Sequence, residues 1–203
     1  MQHLKTLKTL SWLKYLLPAL LLLSTSCRLE RTIKKYDPEG SYSIMGQGTA
    51  SKRHLTLFLL QHNAKADPAF VSILAAAYIR EAKIEGINWD IAFVQMCLET
   101  GFLRFGNQVG HNQYNFAGLG ATDDGAKGLS FPSPEIGVRA HIQHLKAYSS
   151  KERLRQALVN PRFRFVRRGS APKIDQLAGK WASDPLYGQK IKRLLQKLST
   201  TIS

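Results

Sequence analysis

The sequence predicts a mostly α, α+β domain: a helical body with a small irregular or β lobe. Three observations predict it. Segments with apolar residues at helical spacing, two of them opened by a capping residue, fill residues 55–100 and resume at residue 134. Residues 106–134 between them are crowded with Gly, Asn, Asp and Pro, which interrupt helices and long strands. The chain has 203 residues and a hydrophobic fraction of 44%, enough for one core and a short extension.

The elements follow in order. Lys5, Lys8 and Lys14 precede the apolar run Leu16 to Leu23, and Ser24-Thr25-Ser26 leads into Cys27. A basic region, a short apolar core and small residues describe a signal peptide over 1–26, too short an apolar run for a spanning helix. The Cys after small residues resembles a bacterial lipoprotein cleavage site, with Ser24 where that pattern carries Leu. Cys27 is thus the expected lipid attachment, and an ordinary secreted protein with a free thiol is the alternative. Residues 27–52 read as a tether, charged and then rich in turn residues, and 53–203 as the folded domain. Within it, Leu55 to Asn63 is a short helix. Asp67-Pro68 opens a second, with Asp as N-cap and Pro at the first position, ending near Gly86. Asn88 caps a third, Trp89 to Thr100, with Gly101 at its end. A small hairpin is expected near Asp123-Asp124-Gly125. Pro134 to Tyr148 is helical again, followed by short helices over Glu152 to Leu158, Lys173 to Ala178 and Leu186 to Leu198.

Charge narrows the partners. Removing Lys5, Lys8 and Lys14 from a net charge of +15 leaves +12, so an anionic partner is favoured before and after processing. Only Cys27 and Cys97 occur, so a lipidated Cys27 leaves no disulfide within the chain. Cys97 reads as a small core residue.

The chemistry concentrates at Phe93-Val94-Gln95-Met96-Cys97-Leu98-Glu99-Thr100-Gly101-Phe102, an apolar helix ending in a carboxylate. A carboxyl shielded from water keeps its proton to higher pH, which suits a general acid. The alternative is a solvated helix-end Glu, at some cost against the helix dipole. Gln95 lies one turn before Glu99 and can hydrogen-bond it.

Four segments in order resemble the glucosaminidase family of bacterial cell-wall hydrolases, the mannosyl-glycoprotein endo-β-N-acetylglucosaminidase-like group. They are Glu99-Thr100-Gly101; Asn115-Phe116-Ala117-Gly118, where Ala117 replaces the family's aromatic; Phe131 to Ala140; and Trp181-Ala182-Ser183-Asp184-Pro185-Leu186-Tyr187-Gly188. The resemblance spans about residues 53–198. It implies a lysozyme-like helical domain with the lobe across a cleft, Glu99 as catalytic acid and Tyr187 near the scissile sugar. It also implies cleavage of the β-1,4 bond after N-acetylglucosamine in peptidoglycan.

Two-carboxylate glycosidases need a partner about 5–9.5 Å away. Asp123 and Asp124 are the candidates, with a plain turn as the alternative, and a substrate-assisted route needs neither. Asp184 reads as an N-cap. Tyr114, Asn115, Phe116 and Tyr187 are expected to line the groove, and Phe102, Phe105 and Trp181 are further aromatic candidates. Asn115 can serve an N-acetyl group or its own loop. His141 and His144 share a helix at metal-ligand spacing, but no acid or Cys completes a set, so no metal or organic cofactor is implied. A Cys97–His nucleophile is rejected because Cys97 and Glu99 point to different sides of the helix. Arg162-Phe163-Arg164-Phe165-Val166-Arg167-Arg168 reads equally as an anion grip or a half-buried extended segment. The expected partners are the peptidoglycan strand and a membrane through the anchor, with no nucleic acid and a monomeric state. The localisation expected is an exported lipoprotein facing periplasm or cell surface. The rival functions are a lytic transglycosylase and a non-catalytic wall-binding or adhesion module.

Overall fold

Helix α3 (Trp89–Glu99) is the element around which the domain is built. The computed structural model describes residues 34–201 except 107, 108, 122–124 and 126. The expected signal peptide, the lipid attachment at Cys27 and the candidate carboxylates Asp123 and Asp124 therefore lie outside the described residues. Asn88 starts α3 by accepting from the backbone N–H of Asp90 and Ile91. Every residue from Trp89 to Cys97 is buried, the pattern of a helix enclosed by others. Those others are α1 (Lys52–His62), α2 (Pro68–Glu85), α4 (Pro134–Ser149) and α5 (Tyr187–Ser199), all of which pack against α3. Asp67 caps α2 with Pro68 following, as the sequence predicts. Fully burying a side chain such as Phe93 or Met96 contributes roughly 1.5–3 kcal/mol.

Residues 34–50, expected as tether, belong to the domain. Tyr36, Ile44 and Ala50 are core residues. The Ile44 N–H donates to Pro172 O and its carbonyl accepts from Asn88 N–H, both at 2.9 Å. Buried Asp90 clamps the arm, accepting from Thr49 N–H (2.8 Å), Ala50 N–H (3.1 Å) and the Tyr36 hydroxyl (3.0 Å). The turn residues that suggested a linker serve this clamp instead. A Cβ at Gly48 would meet Asp90 Oδ1 at 2.5 Å.

Two expected helices are absent as such. Residues 152–158 form bends because the backbone groups a helix would use are taken by buried side chains. Arg155 and Gln156 N–H donate to the Glu85 carboxylate, and Gln143 Nε2 donates to Ala157 O. Residues 173–178 shrink to a 3₁₀ turn, Ile174–Leu177.

The lobe has little sheet. Among the described residues only isolated bridges occur, one of them between Gly106 and Val109. Leu129 N–H donates to Leu119 O and Phe131 N–H to Gln113 O, each at 2.8 Å, folding the loop back on itself. Ala117, Leu119, Phe131 and Ala140 form its own small apolar cluster. At Gly137, α4 touches the lobe: a Cβ there would fall 1.8 Å from the Tyr114 carbonyl oxygen, so this contact requires glycine.

Candidate active site

The chain ends α3 at Glu99 by an abrupt reversal of hand. Gly101, Phe102 and Leu103 have φ of 56°, 58° and 62°. Left-handed residues bearing a Cβ cost roughly 1–2 kcal/mol each. The turn is held by Leu103 N–H donating to Thr100 Oγ1 (2.9 Å) and by Asn63 Nδ2 donating to Phe102 O (2.8 Å). The reversal leaves the Glu99 side chain at the wall of a cleft of about 730 Å³ between the helical body and the lobe, within the range of ligand sites.

Glu99 is partly buried. Trp181 Nε1–H donates to its Oε1 at 2.9 Å, and the Tyr187 hydroxyl donates to the same oxygen. Burial raises the Glu99 pKa above the ordinary carboxylate range, and the bonds from Tyr187 and Trp181 pull it back only in part. With two donors on Oε1, the acid proton belongs on Oε2. Gly118, with φ of 62°, faces that oxygen: a Cβ there would lie 3.9 Å from Oε2.

Behind Tyr187 runs a buried chain of hydrogen bonds whose direction is fixed. The Tyr187 proton is spent on Glu99, so its oxygen accepts from Gln95 Nε2–H at 2.8 Å. Gln95 Oε1 then faces His141 Nε2 at 3.2 Å and accepts its proton. His141 Nδ1, 2.8 Å from the Tyr78 hydroxyl, accepts in turn. Burial, with the His144 ring nearby, pushes the His141 pKa down to about 3, so the imidazole stays neutral as this chain requires. The Tyr187 pKa is pushed well above its usual value by burial and by the Glu99 charge, so Tyr187 remains a donor.

The structure redistributes the other expected residues. Gln95 is fully buried and bonds Tyr187, not Glu99, so it reaches the carboxyl only through the tyrosine. Tyr187 likewise sits behind the carboxyl, 4% exposed. Phe116 is a core residue, because the loop needs an apolar anchor beneath it. Tyr114 packs between the two apolar clusters and does not line the cleft. Asn115 lines it, but its side chain is consumed by the loop: Nδ2 donates to Leu119 O and Leu129 O, and Oδ1 accepts from Leu119 N–H. Phe102 stacks on His62 in the body, while Phe105 lines the cleft. Asp184 accepts from Leu186 N–H and pairs with Lys190, fastening the start of α5. Glu99 is the one carboxylate among the described residues lining the cleft.

Sequence reasoning underrated Trp181, His144, Tyr148 and Arg162, which also line the cleft. Trp181 lies in the late aromatic motif and Arg162 in the basic stretch, so both were visible as residues but not as neighbours. Their rings interlock: His144 and Tyr148 lie 5.1 and 5.6 Å from Trp181. Burial and the charge of Arg162 lower the His144 pKa to about 4. His141 and His144 are thus occupied with packing and hydrogen bonds, the latter facing Asn160 Nδ2 through Nδ1 at 2.9 Å.

A helical body, an irregular lobe across a cleft and a shielded carboxyl in that cleft fit a lysozyme-like helical domain. The chain belongs to the glucosaminidase family (mannosyl-glycoprotein endo-beta-N-acetylglucosaminidase), whose family model matches residues 75–200. An uncharacterized protein of Borreliella burgdorferi is 46% identical over 155 residues, covering 76% of this chain and 76% of its own length. Membership of this family supports a glycan hydrolase that acts on peptidoglycan-type substrates.

Proposed function

We propose that the protein cleaves the β-1,4 bond after N-acetylglucosamine in peptidoglycan strands, with Glu99 as general acid. The carrying observation is the division of labour on one carboxyl: Oε1 is held by Trp181 and Tyr187, and Oε2 faces the cleft. A strand in the cleft places its glycosidic oxygen against Oε2, which gives up its proton to that oxygen as the bond to the leaving sugar breaks. The acetamido oxygen of the same N-acetylglucosamine closes on the anomeric carbon, and water then opens that ring, returning a proton to Glu99. The negative charge left on Glu99 is stabilised by the two donors already on Oε1. No cofactor enters the proposal. The chain acts after export, held at a membrane through lipid on Cys27, as residues 1–27 suggest.

Glu99→Gln tests the acid. It is expected to cut release of soluble fragments from purified sacculi by about 10²–10⁴ or more while sacculus binding persists. Undiminished digestion by the variant removes Glu99 from the mechanism. Mass analysis of the fragments separates the hydrolase from a lytic transglycosylase: reducing ends support hydrolysis, and anhydro ends support the rival.

A further inference from the structure

A second groove, of about 760 Å³, opens beside the cleft and is lined by Tyr148, Lys151, Phe165, Arg167, Arg168 and Lys180 among others. Every charged residue lining it is a cation. The two concavities share a wall. Tyr148 lines both, and Arg162 of the cleft sits 4.9 Å above the ring of Phe165 in the groove. Two of the cations are built into the wall. Arg168 Nε donates to Ser150 O at 3.1 Å with its guanidinium 4.6 Å over Phe163, and Lys180 Nζ donates to Ser170 O. The other two, Lys151 and Arg167, are exposed and have no acidic partner among the described residues. Phe165 is 62% exposed and lines the same groove. The segment is neither a strand nor a buried strap: Phe163–Phe165 is a 3₁₀ turn that presents the groove.

Resting on the peptidoglycan assignment above, we propose that this groove binds the peptide stem of the strand whose sugars occupy the cleft, with Lys151 and Arg167 taking its carboxylates. Neutral N-acetyl sugars offer nothing to a row of cations. The stems are the anionic part of a peptidoglycan strand, and they are covalently attached to the sugar chain. Once sugars occupy the cleft, a stem reaches the groove at high effective concentration, so two weak exposed charge contacts suffice for discrimination. A concave site continuous with the cleft suits such a branch, whereas a duplex or a bilayer meets an open convex face.

The test uses the full-length Glu99→Gln protein in detergent, so that no ligand is consumed. Binding constants are measured for a disaccharide carrying its stem peptide and for the same disaccharide stripped of it. The stem is expected to tighten binding about tenfold. Lys151→Gln/Arg167→Gln in the same background is expected to abolish that gain and leave the stripped ligand's affinity unchanged, with circular dichroism confirming the fold. Equal affinity for the two ligands, or equal loss of both in the double variant, overturns the proposal. So does a double variant that keeps the stem preference but loses binding to phosphatidylglycerol vesicles or an oligonucleotide. Turnover is a separate readout: a wild-type protein that discriminates stems but never cuts sacculi refutes the hydrolase and keeps the groove.

Discussion

At Glu99 two donors converge on Oε1, and behind them every proton in the chain Tyr78–His141–Gln95–Tyr187 has one place to be. The carboxyl therefore keeps Oε2 clear of both donors, the oxygen that the proposal above assigns to the reacting proton. Tyr187→Phe removes a bond that favours the charged form. The Glu99 pKa should rise further, moving the high-pH limb of kcat/KM upward, while kcat falls because the developing charge loses a donor. A pH–rate profile that keeps its upper limb in place would refute this role. Glu99→Gln should also report on stability. A carboxyl whose folded pKa is raised binds its proton more tightly in the folded state, so its contribution is intact at low pH and is lost as pH rises through the folded value. The variant should therefore melt higher than wild type near neutral pH, and the difference should vanish below the ordinary carboxylate range. Glu99-Thr100-Gly101 was legible in the sequence because helix end and glycine are local signals. Gln95 was placed on the right face but with the wrong partner, since Tyr187 arrives from 92 positions away. Asn115 and Phe116 were legible as a motif, yet distant partners decide their roles: Asn115 lines the cleft with its side chain bonded to Leu119 and Leu129, and Phe116 is buried in the core.

Between elements, two buried carboxylates of α2 organise the chain after α4. Glu85 pairs with Lys146 at 2.8 Å, both fully buried, and also receives the backbone of Arg155 and Gln156. Glu81 pairs with Arg139 at 2.9 Å and accepts from Gln156 Nε2. Those bonds dock residues 155 and 156 on α2, a few positions before the segment that carries Arg162 and Arg167. Lys146→Met leaves the Glu85 charge without its counter-ion, which should cost about 3–5 kcal/mol in urea unfolding. Hydrogen exchange should quicken first at Arg155 and Gln156. The helices themselves were legible from period and caps, because both are written within a few residues. Residues 152–158 were not: their helical propensity is local, but the acceptor that overrules it sits on α2.

Over the whole molecule, charge and core divide the chain. Among the described residues, helices α1 to α5 enclose an apolar interior from Tyr36 to Leu198, and the cations buried with it, Lys146 and Lys192, are paired with Glu85 and Asp175. The overall mostly helical class followed from composition and spacing. The start of the domain did not, because Gly, Ser and Asp look alike in a linker and in a strap that Asp90 fastens to α3. That strap has a consequence for reach. Lys34, whose N–H donates to Thr49 Oγ1, already belongs to the domain, seven positions after Cys27 where the sequence expects twenty-five. Seven residues span at most about 25 Å when fully drawn out, against roughly 90 Å for the longer stretch. Were the proposed lipid on Cys27, the domain would work within about the shorter distance of the bilayer, on the strands that lie nearest it.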